Sequence, residues 1–228
     1  MEKAIDINEL RTKLDQINEL IIIGLKNRSR FPLNTGTFIE KFSGKESWFL
    51  YRLKKEQSID AEFGRYLYND QSPIIYSKKQ LSKSKVKSPA KVEGIKQEPV
   101  DVSKEIIALY KEMLFELCEH KEDKATYGET TKMDVDNILL YTERIVGLGE
   151  QVAGYKMQQN PTILKLTKSE DIRKHLVNLE REKEVIDKTV AIAQKYGITN
   201  TNAIRKFTQK IIDITTEVEI KRILSKRK

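Results

Sequence analysis

Cysteine is almost missing from this chain of 228 residues, where Cys118 stands alone. That excludes a disulfide within the chain and a metal centre built on cysteine thiolates, and it favours a reducing compartment. Histidine is nearly as scarce, and His120 and His175 lack the spacing of metal ligands. The longest apolar run, "LIIIGL" at 20–25, falls far short of the roughly 20 residues that cross a bilayer as a helix. The opening stretch, "MEKAIDINELRTKLDQ", has no apolar core of a secretory signal, so the expected compartment is the cytoplasm. The glycines never take the spacing of a phosphate-cradling loop; "GLGEQVAG" at 147–154 lies inside a helical pattern. No serine or cysteine carries a nucleophile signature. Catalysis, if present, must come from charged and polar side chains projecting from helices, with no metal and no cofactor.

Positive charge is abundant: the formal net charge is +8 and the isoelectric point about 9.3. Half of the excess sits in residues 76–101, which hold seven lysines against three acidic residues and few large apolar side chains. That composition describes a solvated, mobile connection. It also leaves open a non-catalytic basic helical module that binds acidic partners. Such a module would bind nucleic acid or anionic lipid with an affinity that falls steeply with salt.

Elsewhere the apolar spacing is helical, and no segment alternates with the period of a strand. The spacing predicts helices over about 6–29, 46–67, 103–117, 131–159, 171–196 and 201–226. Breaks fall at "RFPLNTG" (30–36), at "NDQSP" (69–73), at Asn160-Pro161 and at Tyr196-Gly197. Ser103 is the expected cap of the third helix. The expectation is an all-α, multi-helix bundle in which 1–228 forms one domain, with 76–101 a connecting segment within it.

Polar residues intrude on the apolar stripes. Lys156 falls one turn beyond Val152, where the pattern asks for an aliphatic side chain, and Arg144 lies three turns upstream. Thr215 and Glu219 follow Ile211 at successive turns, Asn178 and Glu182 are four apart, and Arg11 lies between Leu10 and Leu14. Burying a charge is costly unless it is paired. Together these residues would make an electropositive pocket between helices for a small, doubly charged anion.

At these residues the sequence resembles the chorismate mutases of the all-helical class, in their long fungal and plant-like form. "LRTKLDQINELIIIGLKNRSRFPLN", "YGETTKMDVDNILLYTERI" with "GEQVAGYKMQ", and "ITTEVEIKRIL" look like that family's opening, central and closing helices. The resemblance implies an enzyme that rearranges chorismate to prephenate with no cofactor, as a homodimer that binds neither nucleic acid nor membrane. It also implies roles. Arg11 and Arg144 would hold the substrate's carboxylates, Lys156 and Glu219 its ether oxygen, and Asn178, Glu182 and Thr215 would line the site. Arg144 and Lys156 are twelve apart here, where the family has eleven. Eleven residues leave two side chains within about 20° of each other on a helix and twelve about 120° apart. A one-residue π-bulge near Gly147–Gly149 is therefore expected. The family's aromatic amino-acid effector site would correspond to Arg65, Gly128 and Thr130, but one of its arginines is lost and its serine is replaced by Glu129. The resemblance does not carry regulation over.

Overall fold

A computed structural model describes residues 6–67, 71–75, 80–81, 83–86 and 100–226. Most of the lysine-rich stretch thus lies outside the described residues. The helices are α1 (Ile7–Arg28), α2 (Gly36–Ile39), α3 (Trp48–Glu62), α4 (Ser103–Leu117), α5 (Tyr127–Thr142), α6 (Leu148–Gln159), α7 (Ser169–Leu176), α8 (Leu179–Lys195) and α9 (Thr201–Ser225). The all-α expectation holds, with one small addition. Strands β1 (Lys41–Phe42) and β2 (Glu46–Ser47) pair antiparallel across a tight turn that places Ser43 and Gly44 at positive φ.

Several boundaries differ from the pattern, each for a local reason. The helix expected over 46–67 stops at Glu62, because Gly64 turns into the left-handed region at φ 92° and a short 3-10 turn follows at Arg65–Leu67. Ser103 is the first residue of α4 rather than its cap; the capping acceptor is the Asp101 carboxylate, which takes the Ser103 amide at 3.0 Å. The helix expected over 171–196 is two helices. Val177 is extended, and the Asn178 side chain accepts the Arg181 amide at 3.0 Å, which starts α8 afresh. Asn178 and Glu182 are thus a cap and a first-turn residue, not two positions on one continuous helix face.

The expected widening of the long helix is present. A single π-helical turn spans Glu143–Gly147 between α5 and α6, closed by the Leu148 amide on the Glu143 carbonyl five residues back. Arg144 lies inside it, just before the stretch where the extra residue was expected.

Helices α1, α4, α5, α8 and α9 wrap a large core built on residues such as Ile22, Leu25, Ile106, Ile138, Ile145 and Ile204. Fully burying one such side chain contributes about 1.5–3 kcal/mol before entropy is counted. A smaller apolar cluster of Ala153, Met157, Ile163, Ile172, Leu176, Ile220 and Ile223 joins the far end of α6 to α7 and α9. The candidate site lies where these two cores meet.

Candidate active site

The site begins with a close approach of two helices. A Cβ on Gly149 would meet Thr215 Cγ2 at 3.2 Å and Val218 Cγ1 at 3.5 Å, so α6 rests directly on α9 there. A larger residue at this place would crowd Thr215 and push α6 and α9 apart by a few tenths of an ångström. Thr215 then reaches Arg144, whose Nη1 lies 3.5 Å from its hydroxyl oxygen. One turn later Glu219 meets Lys156, with Nζ to Oε2 at 2.8 Å. Residues four apart share a helix face, so Arg144 and Lys156 both point at one face of α9 despite their twelve-residue separation. The π turn restores the facing that a regular helix would have lost by about 120°.

Lys156 makes a second bond. Its ammonium donates to the Leu176 carbonyl at 3.0 Å, one of the last carbonyls of α7. The break at Val177–Asn178 ends α7 where that carbonyl faces the lysine, and the negative end of the helix dipole favours a cation. The lysine side chain is 29% exposed and the Glu219 side chain 5%, so the pair is reached by solvent from the lysine side rather than sealed in the core.

Electrostatics sharpen the picture. Burial pushes the Glu219 carboxyl above its ordinary range; Lys156 and Arg144 pull it down, and Glu182 pushes it up again. Burial pushes Arg144 down to about 10 against the opposing pull of Glu219 and Asp15. The guanidinium thus stays charged at neutral pH, with burial outweighing the pull of its acidic neighbours. Its orientation is set from α1, where the Asn18 side-chain oxygen accepts from Nε at 2.9 Å.

The other expected residues stand at the margin. Glu182 is half-buried and accepts from Gln209 at 3.4 Å. Asn178 is exposed at the α7–α8 break beside the Leu176 carbonyl. Arg11 is exposed on α1, one turn before Asp15 and two before Asn18, so it shares their face of the helix. Arg65, Gly128 and Thr130 are not brought together within one chain. Arg65 pairs with Asp60 at 3.5 Å and with Glu143 at 3.4 Å, just past the end of α5, whereas Gly128 and Thr130 occupy its first turn. By helix rise these places are about 20 Å apart. The Thr130 hydroxyl is occupied, donating to the Thr126 carbonyl at 3.1 Å.

Sequence reasoning missed Asn18 and the buried Glu150–Arg222 pair. Asn18 had a signal: an amide immediately after Ile17 and three residues before Ile21 is a polar intruder in an apolar stripe, like Lys156. No metal-binding cluster of histidine, cysteine and carboxylates occurs among the described residues, and no described helix is long and apolar enough to cross a membrane.

Comparison with known proteins agrees with this architecture. No family model matches the chain. Chorismate mutase of Saccharomyces cerevisiae is 23% identical over 248 residues, covering 98% of this chain and 96% of that protein. The Aro7p chorismate mutase of Candida albicans, solved with L-Trp, superposes with a TM-score of 0.85 at 20% identity, covering 97% of this chain and 91% of that one. AtCM1 with phenylalanine in its allosteric site gives 0.85 at 19%, covering 96% of each chain. The fold is that of the long, all-helical chorismate mutases of fungi and plants. The resemblance read from the sequence and the full-length likeness to the yeast enzyme point to the same family.

Proposed function

We propose that this chain is a chorismate mutase, converting chorismate to prephenate in the branch toward phenylalanine and tyrosine. The observation that carries the reading is the Lys156–Glu219 contact at 2.8 Å beside the buried Arg144, within a fold whose relatives catalyse this reaction. The rearrangement is pericyclic, and it needs no nucleophile and no net proton transfer. The protein must hold a flexible dianion in its compact chair-like form and stabilise the charge that develops as the C–O bond breaks. Even the low end of enzymatic acceleration, about 10⁶-fold, asks these effects for roughly 8 kcal/mol.

Arg144 takes one carboxylate from inside the pocket and Arg11 the other from its mouth, each offering a fork that matches two oxygens. An ammonium has three donors. Two of those on Lys156 hold Glu219 and Leu176, which leaves one for the ether oxygen of the substrate. Glu219 donates to the same oxygen when protonated, and its raised pKa extends that state toward neutral pH. Glu182 accepts from the ring hydroxyl, and Asn178 and Thr215 complete the polar lining.

The resemblance further implies a homodimer and a cytoplasmic location. Arg65 lies far from Gly128 and Thr130 within one chain, so an effector site of the kind that holds phenylalanine in AtCM1 would have to draw on a second copy. Sedimentation with and without aromatic amino acids tests both points. The decisive measurement is loss of chorismate absorbance on adding the protein. Lys156→Ala should abolish it while helical circular dichroism stays intact, and retained turnover would remove the lysine from the mechanism.

A further inference from the structure

Glu150 and Arg222 form an ion pair sealed between α6 and α9, each only 2% exposed. They sit on the two helices that supply Lys156 and Glu219. Glu150 follows Gly149, the point of closest approach, and Arg222 lies on the α9 stripe that begins with Thr215 and Val218. The outer side is roofed by the chain that enters α4. The Val100 amide donates to Glu150 Oε1 at 3.3 Å, Lys221 Nζ donates to the Asp101 carbonyl at 3.4 Å, and Val102 is buried.

Replacing a buried ion pair with well-packed apolar residues is often neutral or stabilising, so stability alone does not account for this one. The best-attested use of such a pair is to specify register. Here the charges alternate: α6 gives an anion to one pair and a cation to the other, and α9 the reverse. A one-turn slip of α9 along α6 would set Arg222 against Lys156, or Glu219 against Glu150. Either slip opposes like charges.

We propose that Glu150 and Arg222 are positioning residues for the reaction. They lock the register of α6 on α9 and thereby hold the Lys156 ammonium on the Glu219 carboxylate. The activity part of the test rests on the chorismate mutase reading, and failure of that reading would show as no turnover by the unaltered protein. The register part is independent of the substrate.

The test uses the full chain with three changes: Arg222→Met, the double change Glu150→Met with Arg222→Met, and Arg222→Lys. Arg222→Met strands a buried carboxylate and should lower the thermal midpoint. The double variant should regain that midpoint yet keep a kcat reduced by roughly tenfold to 10²-fold, the penalty of a slight misplacement, with KM within about twofold. Its kcat should also fall at higher pH than in the wild type, because Glu219 would lose the downward pull of Lys156 while Arg144 and Glu182 stay in place. Arg222→Lys keeps the charges balanced with a shorter reach and should show the same displacement to a smaller degree. In a crystal structure of the double variant, the 2.8 Å Lys156–Glu219 contact should lengthen by about 1 Å or more. Wild-type kcat and pH profile in a stable double variant, or an unchanged contact in its structure, would overturn the proposal. Should the double variant not fold, an unshifted pH profile in Arg222→Lys does so.

Discussion

Arg28 and Arg144 are both buried, yet their surroundings could hardly differ more. Arg28 is fully enclosed, with Nε on Asp134 at 2.6 Å, Nη1 on the Pro32 carbonyl at 2.8 Å and Nη2 on the Leu33 carbonyl at 2.9 Å. Asp134 in turn accepts from the Tyr110 hydroxyl at 2.7 Å, and Tyr110 from Asn137 at 3.1 Å. That network ties the end of α1 and the chain after it to α5. Arg144 instead has one good neutral acceptor, Asn18, and a long contact to Thr215. Burial accordingly pushes it down to about 10, whereas for Arg28 burial, the largest single effect, is outweighed by Asp134, Tyr110 and Cys118 together, which raise it. One cation is saturated by its own chain, and the other is left with a single good acceptor.

Removing Arg144 should leave the fold standing and end the chemistry. Arg144→Ala is expected to lower kcat/KM by about 10³-fold, the upper range for losing one preorganised donor, with a thermal midpoint no lower than wild type. A large drop in that midpoint would erase the contrast. Arg28→Met should do the opposite. Stranding Asp134 costs about 3–5 kcal/mol of unfolding free energy in urea denaturation, with turnover per folded molecule unchanged.

A third experiment tests the buried carboxyl that faces Arg144 and Lys156. Glu219 has its pKa raised by burial, so its donating, protonated form persists below that value and is lost as pH rises through it. Wild-type kcat should therefore decline on the alkaline side. Glu219→Gln is neutral throughout and should give a flat profile; a retained decline would move the titration to another group. Asn18→Ala should cost about tenfold in kcat/KM, near the 1.5 kcal/mol lower value for a hydrogen bond to a charged group. Thr215→Val should change kcat by less than about threefold, because a contact of 3.5 Å lies beyond good hydrogen-bond range.

How much was legible in the sequence follows from which signals are periodic. Helices and their order show as 3.6-residue apolar stripes, and Lys156, Arg144, Thr215 and Glu219 stand out as departures from them. The twelve-residue spacing, set against the eleven that the resemblance implies, foretold the π turn that brings Arg144 and Lys156 to one face. The α7–α8 break was hidden because Ile172, Leu176 and Leu179 continue an apolar rhythm through it, although Leu179 is in fact exposed. Asp101 as a cap, Asn18 as an orienting acceptor and Arg222 as the partner of Glu150 depend on which helix lies opposite. Spacing within one helix does not carry that information.

The wide turn at Glu143–Gly147 works as an expansion joint in the long helix. It absorbs one surplus residue, so the segment beyond it need not rotate. Deleting Val146 from this turn would return the segment to plain α-helix and to the eleven-residue separation of the family, with Arg144 and Lys156 still on a common side. Shortening a helix by one residue ordinarily swings everything downstream by about 100°; here the deletion should be survivable, with Lys156 still facing Glu219.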